Sequence, residues 1–409
     1  MPAALAVSSE SEEATSTRPK WEVADIFRLY GKEYHCSHPA PSSHLKVMHS
    51  IQVCRTAYLG GHVQKCDSCG YEHPAYNSCR NRHCPKCQSL TKARWLQDRK
   101  AELLPVGYFH AVFTLPHELN PLALCNKKAV YDILFRSASE TLLQFGKNNL
   151  KGRLGFLCIL HTWEQTLLDH FHLHCVVPSG ALSFDKRRWI RADKNFLFHV
   201  ESLSVVFREK FIDYLETAFD KGDLLFPGKI ATLQRQREFS RYIDSLREHQ
   251  WVVYCKKPFA GPEQVLEYIG RYTHRVAISN NRILSVDNGR VTFTYRDRRH
   301  GDVLNTMTIK SEEFIRRFLL HVLPDGFMRI RHFGFLANRC KQENIQCIRE
   351  LTGISATVTG KTRKNTQELM LELTGMDIAM CPCCKKGIMQ IIVEITPAWK
   401  KGLGYVDSS

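Results

Sequence analysis

The sequence predicts an α+β protein, on three observations. Strand-like and helix-like runs mix along the chain without a strict βα repeat, which favours an antiparallel or mixed sheet over a doubly wound one. Asn288-Gly289 sits between two strand-like runs, a strong hairpin turn signal. Paired Cys-x-x-Cys motifs near the amino terminus mark a small metal-bound module ahead of the main core.

Residues 1–20 are rich in Ser, Ala and Glu and lack aromatics until Trp21, so a disordered tail is expected. Residues 21–100 hold the cysteine motifs. Residues 101–310 form the main domain. It opens with Tyr108-Phe-His-Ala-Val-Phe-Thr-Leu115, a strand by its aromatic and β-branched content, closed by Pro116. Val130, Ile133, Leu134, Leu142 and Leu143 recur at helical spacing over 126–147. Two strand-like runs follow, at 154–166 and 170–177, then a helix near 203–219 and a strand at Trp251–Cys255. Pro262 opens another predicted helix. Residues 276–286 and 291–296 are the strands of the hairpin. Residues 311–409 read as a basic helical region ending in a cysteine cluster.

Across 409 residues, 44% hydrophobic and 24% charged content is enough for a sizeable core. Lys and Arg outnumber Asp and Glu by 57 to 41, a net charge of +16, which suits a nucleic-acid partner. No apolar run is long enough to span a bilayer, and the amino terminus carries no secretory pattern. The expected location is the bacterial cytoplasm, near the nucleoid. Sixteen cysteines in such a chain read as metal thiolates rather than disulfides.

Cys66-x-x-Cys69 is followed, after fourteen residues, by Cys84-x-x-Cys87. Each pair offers two soft ligands from one tight turn, and two pairs complete a tetrahedral structural Zn²⁺ site. Cys54, Cys79, His62, His73 and His83 are nearby alternates or ligands of a second ion. Arg80, Arg82, Lys86, Lys92, Arg94 and Arg99 in the same segment suit phosphate contacts. Cys381 and Cys384 form half a knuckle whose partners could be Cys340 and Cys347, though that spacing is poor.

His170, His172 and His174 alternate along one run, so a strand puts all three on one face, where imidazoles converge on a divalent ion. The preceding run, His161-Thr-Trp-Glu-Gln165, offers a further ligand. Gln165 is the first choice, Glu164 the second and His161 the third, since Mg²⁺ or Mn²⁺ accepts amide or carboxylate oxygen. Tyr268 and Tyr272 are one turn apart on the predicted helix, with Arg271 and Arg275 beside them. A phenol is only about 0.1% ionised at neutral pH, so a tyrosine nucleophile needs a metal or a cation such as Lys256 or Lys257. Arg296, Arg298, Arg299, Arg329, Arg331 and His332 are candidate contacts to DNA phosphates.

This constellation resembles a known family. His172-Leu173-His174 is similar to the His-hydrophobe-His motif of HUH endonucleases, and Tyr268 and Tyr272 to their paired nucleophiles. The cysteine segment resembles the zinc-binding domain of rolling-circle transposases. The runs FHAVFTLPHEL, LHTWEQTL, FHLHCVV, YIGRYTHRVAIS and RIRHFGFLAN resemble segments of the insertion sequence ninety-one family of two-tyrosine transposases, in family order. The resemblance covers about residues 30–340.

It implies an HUH-type catalytic domain: a central antiparallel sheet flanked by helices, preceded by a small zinc-binding domain. It implies that Tyr268 and Tyr272 are nucleophiles, and that His172, His174 and Gln165 hold a catalytic Mg²⁺ or Mn²⁺. Glu164 stands where the family often has glycine. The implied activity nicks and rejoins single-stranded DNA through a 5′-phosphotyrosine, acting on the ends of the element itself and on target DNA. A related HUH replication initiator or relaxase, and a non-catalytic zinc-dependent DNA-binding protein, are the competing expectations.

Overall fold

The computed structural model describes residues 19–259, 264, 265, 270, 276–297, 300–353 and 364–401. Fourteen strands are named in chain order: β1 (Gly61–Cys66), β2 (Glu72–Tyr76), β3 (Tyr108–Thr114), β4 (Gly152–Arg153), β5 (Gly155–Trp163), β6 (Asp169–Pro178), β7 (Gly180–Ser183), β8 (Trp189–Arg191), β9 (Val253–Phe259), β10 (Ile283–Asp287), β11 (Arg290–Asp297), β12 (Val303–Lys310), β13 (Ile330–Gly334) and β14 (Met389–Ile395). The expected α+β class holds: every sheet is antiparallel, and helices cover the central one.

The central sheet runs β13-β5-β6-β3-β9. Its middle strand, β6, is buried from Phe171 to Pro178, so both faces are covered. One face is apolar by alternation: Phe109, Ala111 and Phe113 of β3, Phe156, Cys158 and Leu160 of β5, and Phe171, Leu173 and Cys175 of β6. Helices Lys127–Asn149 and Val200–Asp220 pack there through Val130, Leu134, Leu142, Phe207, Phe211 and Leu215. Ser137 and Thr141 are buried within the first helix, and each hydroxyl donates to a carbonyl one turn back, which satisfies it locally. The other face carries His110, His161, His172 and His174, flanked by an apolar cluster of Leu157, Ile159, Val176 and Val265.

A second core joins the amino-terminal helices Val23–Ser37 and Ser42–Gln52 to the sheet β10-β11-β12 and helix Ser311–Leu320. Phe27 and Phe318 meet edge to face at 5.3 Å. The β10–β11 turn has positive φ at both Asn288 (46°) and Gly289 (69°), which a two-residue hairpin of this hand requires.

The carboxy-terminal region departs from the helical expectation. It does hold helices, but β13 is an edge strand of the central sheet, and β14 pairs with β1 in the sheet β14-β1-β2. β13 is short, and β14, though rich in β-branched residues, lacks a clean alternation and is exposed from Gln390 to Glu394, so periodicity marks neither. The last strand therefore returns to the cysteine module at the front of the chain.

Candidate metal centres

The pairing register assembles the histidines. His161 of β5 stands directly opposite His172 of β6, and directly opposite residues share a face. His174 follows two residues along β6. The ligand-capable nitrogens of His161, His172 and His174 lie within 4.8 Å of one another. His172 Nδ1–H donates to the His170 carbonyl at 2.9 Å, which leaves its Nε2 free to ligate. That Nε2 is 3.1 Å from His174 Nε2, close to the edge of a coordination shell built on metal–nitrogen bonds of about 2.1 Å. On the far side of His174, Nδ1 sits 2.9 Å from His110 Nε2. Burial drives the His172 imidazole well below its ordinary pKa, and the neighbouring His161 and His170 add to this. A neutral ring is the form that binds a metal.

All three donors are imidazoles. Glu164, the second choice for an oxygen ligand, is not part of this group. Gln165 lies in the turn after β5, where its carbonyl accepts from Arg282 at 2.5 Å. Glu164 accepts from the Thr166 hydroxyl at 2.6 Å. His170 is exposed at the start of β6 and contributes its carbonyl. Tyr268, Tyr272, Arg271 and Arg275 lie outside the described residues. Their described neighbours are tied down: Val265 is buried against the histidine-bearing face, and a Cβ on Gly270 would approach Leu96 to 2.9 Å. Lys256 is exposed on β9, opposite His110.

Cys66, Cys69, Cys84 and Cys87 do not share one site. Cys84 and Cys87 join Cys54 and Cys79, while Cys66 and Cys69 join Cys381 and Cys384. In the first group Cys54 and Cys79 are each 3.6 Å from Cys87, Sγ to Sγ. In the second, Cys66 is 3.7 Å from Cys384 and Cys69 is 3.7 Å from Cys381. A tetrahedron of sulfurs around zinc, with bonds of about 2.3 Å, has edges of about 3.8 Å. Both donor sets therefore fit structural Zn²⁺. In the first group, hydrogen bonds from Cys54, Cys79 and Cys84 hold the Cys87 thiol far down, so it is the ready thiolate. His62, His73 and His83 are in neither group. Cys340 and Cys347 instead donate to the carbonyls of Ala337 and Lys186.

Residues 155–344 match the family described as "Putative transposase", and residues 26–115 match the "Transposase zinc-binding domain". The chain is 50% identical over 379 residues to "Putative transposase y4qJ" of Sinorhizobium fredii, covering 91% of this chain and 95% of that protein. It is 31% identical over 291 residues to the "Transposase for insertion sequence element IS801" of Pseudomonas savastanoi pv. phaseolicola, covering 70% of this chain and 68% of that one. The chain belongs to the insertion sequence ninety-one family of transposases. No solved structure matches it.

A member of this family is a DNA-processing enzyme, and DNA is its partner. Among the described residues no helix is long and apolar enough to cross a membrane. Several basic residues expected to face DNA also make contacts within the fold of this transposase. Arg329 is buried, and Arg331 binds Asp132 at 2.6 Å while lying over the Phe135 ring. Arg82 donates to the Phe327 carbonyl, and Lys86 pairs with Glu22. Arg80 and Arg94 are exposed, as is Arg296, which pairs with Asp302. Arg298 and Arg299 lie outside the described residues.

Proposed function

We propose that this transposase nicks and rejoins single-stranded DNA at the ends of its own element by metal-assisted tyrosine transesterification, the chemistry of rolling-circle transposition. The observation that carries the reading is the convergence of His161, His172 and His174 on one sheet face, with Val265, three residues before Tyr268, buried beside them. His172 and His174 are the ligands drawn from the sequence. His161 takes the third position first given to Gln165, because register sets it opposite His172. Three imidazoles suit Mn²⁺ or a softer divalent ion better than Mg²⁺, which favours oxygen.

An ion held there supplies positive charge to the scissile phosphate. Tyr268 or Tyr272 attacks phosphorus, forming a 5′-phosphotyrosine, and the bond to the 3′ oxygen breaks to leave a 3′ hydroxyl that takes up a proton. Lys256 places a cation on the same face for the phenolate or phosphate. The second tyrosine accepts a second strand, and each exchange conserves one phosphodiester.

The test uses labelled single-stranded DNA carrying the element's ends, with Mn²⁺ or Mg²⁺. Cleavage that yields a free 3′ hydroxyl, requires the ion and is lost in His172→Ala and His174→Ala supports the reading. Metal-independent cleavage, or cleavage that survives both substitutions, contradicts it.

A further inference from the structure

We propose that Cys66, Cys69, Cys381 and Cys384 bind a second structural zinc ion, distinct from that of Cys54, Cys79, Cys84 and Cys87, in a zinc ribbon whose two halves come from opposite ends of the chain. The match to the zinc-binding domain ends at residue 115, more than 260 residues before Cys381.

The two half-sites are built alike. In each, the residue after the second cysteine has positive φ, 72° at Gly70 and 55° at Lys385. Its N–H donates back to the carbonyl of the first cysteine, Gly70 to Cys66 at 3.2 Å and Lys385 to Cys381 at 3.0 Å. The N–H of each first cysteine bonds forward across its turn, Cys66 to Tyr71 and Cys381 to Gly387. Backbone amides also point at the sulfurs, Cys69 to Cys66 at 3.4 Å and Gly387 to Cys384 at 3.3 Å. These donors stabilise thiolates, the form zinc binds. Loading a Zn²⁺ ion would release to solvent whatever protons the four thiols still carry.

The halves also meet without metal. Asp67 N–H donates to the Ile388 carbonyl at 3.1 Å, and Ile388 N–H donates to the Asp67 carboxylate at 2.9 Å. A Cβ on Gly387 would stand 2.4 Å from Cys66 Sγ, so the approach requires glycine. The sheet β14-β1-β2 continues the junction. Cys69 is exposed and Cys384 half-buried, whereas three of the four thiols in the other group are buried. The ribbon ion should leave first to a chelator, freeing β14 while the first ion holds.

The experiment is zinc content of the full chain by elemental analysis, with thiols counted by mass spectrometry and folding followed by circular dichroism. Cys381→Ser/Cys384→Ser and Cys66→Ser/Cys69→Ser should each carry one equivalent fewer than wild type. Gly387→Val, which removes no thiol, should bind that equivalent at least tenfold more weakly in a chelator competition. Hydrogen exchange of Met389–Ile395 should rise when the ribbon ion is withdrawn, with β5 and β6 unchanged. Unchanged zinc content in the Cys381→Ser/Cys384→Ser protein would overturn the proposal. So would disulfides among these four cysteines in the zinc-replete wild type.

Discussion

His110 and His174 stand on neighbouring strands, β3 and β6, with Nε2 of the first 2.9 Å from Nδ1 of the second. For His174 to present Nε2 to a metal, its Nδ1 must carry the proton and donate it to His110. Burial, with help from Lys256, pushes the His110 imidazole down to about 4, so it is a neutral acceptor at physiological pH. On the proposed function, His110 would be a positioning residue for the bound ion. Partners of this kind are worth about 10- to 100-fold in metal affinity. His110→Ala should weaken Mn²⁺ binding by that factor, measured calorimetrically on the full chain, while His110→Gln, which keeps an acceptor, should recover part of it. Equal affinity in all three proteins would show that His174 needs no such orientation.

Acid should weaken the fold through His321. The ring is 2% exposed, Nε2–H donates to the Leu167 carbonyl at 3.0 Å, and Nδ1 accepts from the Thr162 hydroxyl at 3.2 Å. Burial lowers it from 6.5 to about 4. Between those values the unfolded chain takes up a proton that the folded chain refuses. The contribution is therefore complete above pH 6.5 and is lost as pH falls towards 4. At 1.36 kcal/mol per unit this amounts to about 3 kcal/mol. Urea unfolding followed by tryptophan fluorescence should show a falling midpoint across that window, and Trp163, 5.8 Å from the ring, is a suitable reporter. His321→Gln should flatten the slope by up to one proton; an unchanged slope would assign the acid sensitivity to other groups.

Phe27→Ala should loosen the amino-terminal helices from the rest of the chain. The ring is fully buried against Phe318, in the same core as Cys54, Cys84 and Cys87. Truncating a buried phenylalanine costs about 3–5 kcal/mol, and here the loss falls on one junction. Hydrogen exchange should accelerate in Val23–Ser37 and Ser311–Leu320, while the central sheet stays protected. Uniform acceleration would mean that the two cores unfold as one.

Strong periodicity made much of the fold legible. β3, β5 and β6 lie where alternation and β-branched content put them, and the long helices fall within three residues of their expected ends. Asn288-Gly289 makes the expected turn because few other pairs accept two positive φ values. What failed was long-range pairing. A fourteen-residue spacer suggested that Cys66 and Cys69 answer to Cys84 and Cys87, but linear spacing ranks only near neighbours, and the partners of the first pair are more than 300 residues away. The nearness of His161 to His172 was hidden for a similar reason. Alternation tells which residues of one strand share a face, but only the β5–β6 register, with its irregularity between His161 and Trp163, sets His161 opposite His172. β14 carries β-branched residues in Ile391, Ile392, Val393 and Ile395 but no alternation, and its partner is β1, at the other end of the chain.

The central claim is covalent catalysis by tyrosine, and a protein–DNA adduct tests it most directly. Purified protein, labelled single-stranded DNA from the element's ends and Mn²⁺ would be combined and resolved on a denaturing gel, beside Tyr268→Phe, Tyr272→Phe, the double substitution and His172→Ala. A metal-dependent adduct that is lost in the double substitution and in His172→Ala is the predicted result, with the single substitutions showing which tyrosine attacks first. An adduct that survives loss of both tyrosines, or tight DNA binding with no adduct at any end sequence, would contradict the account.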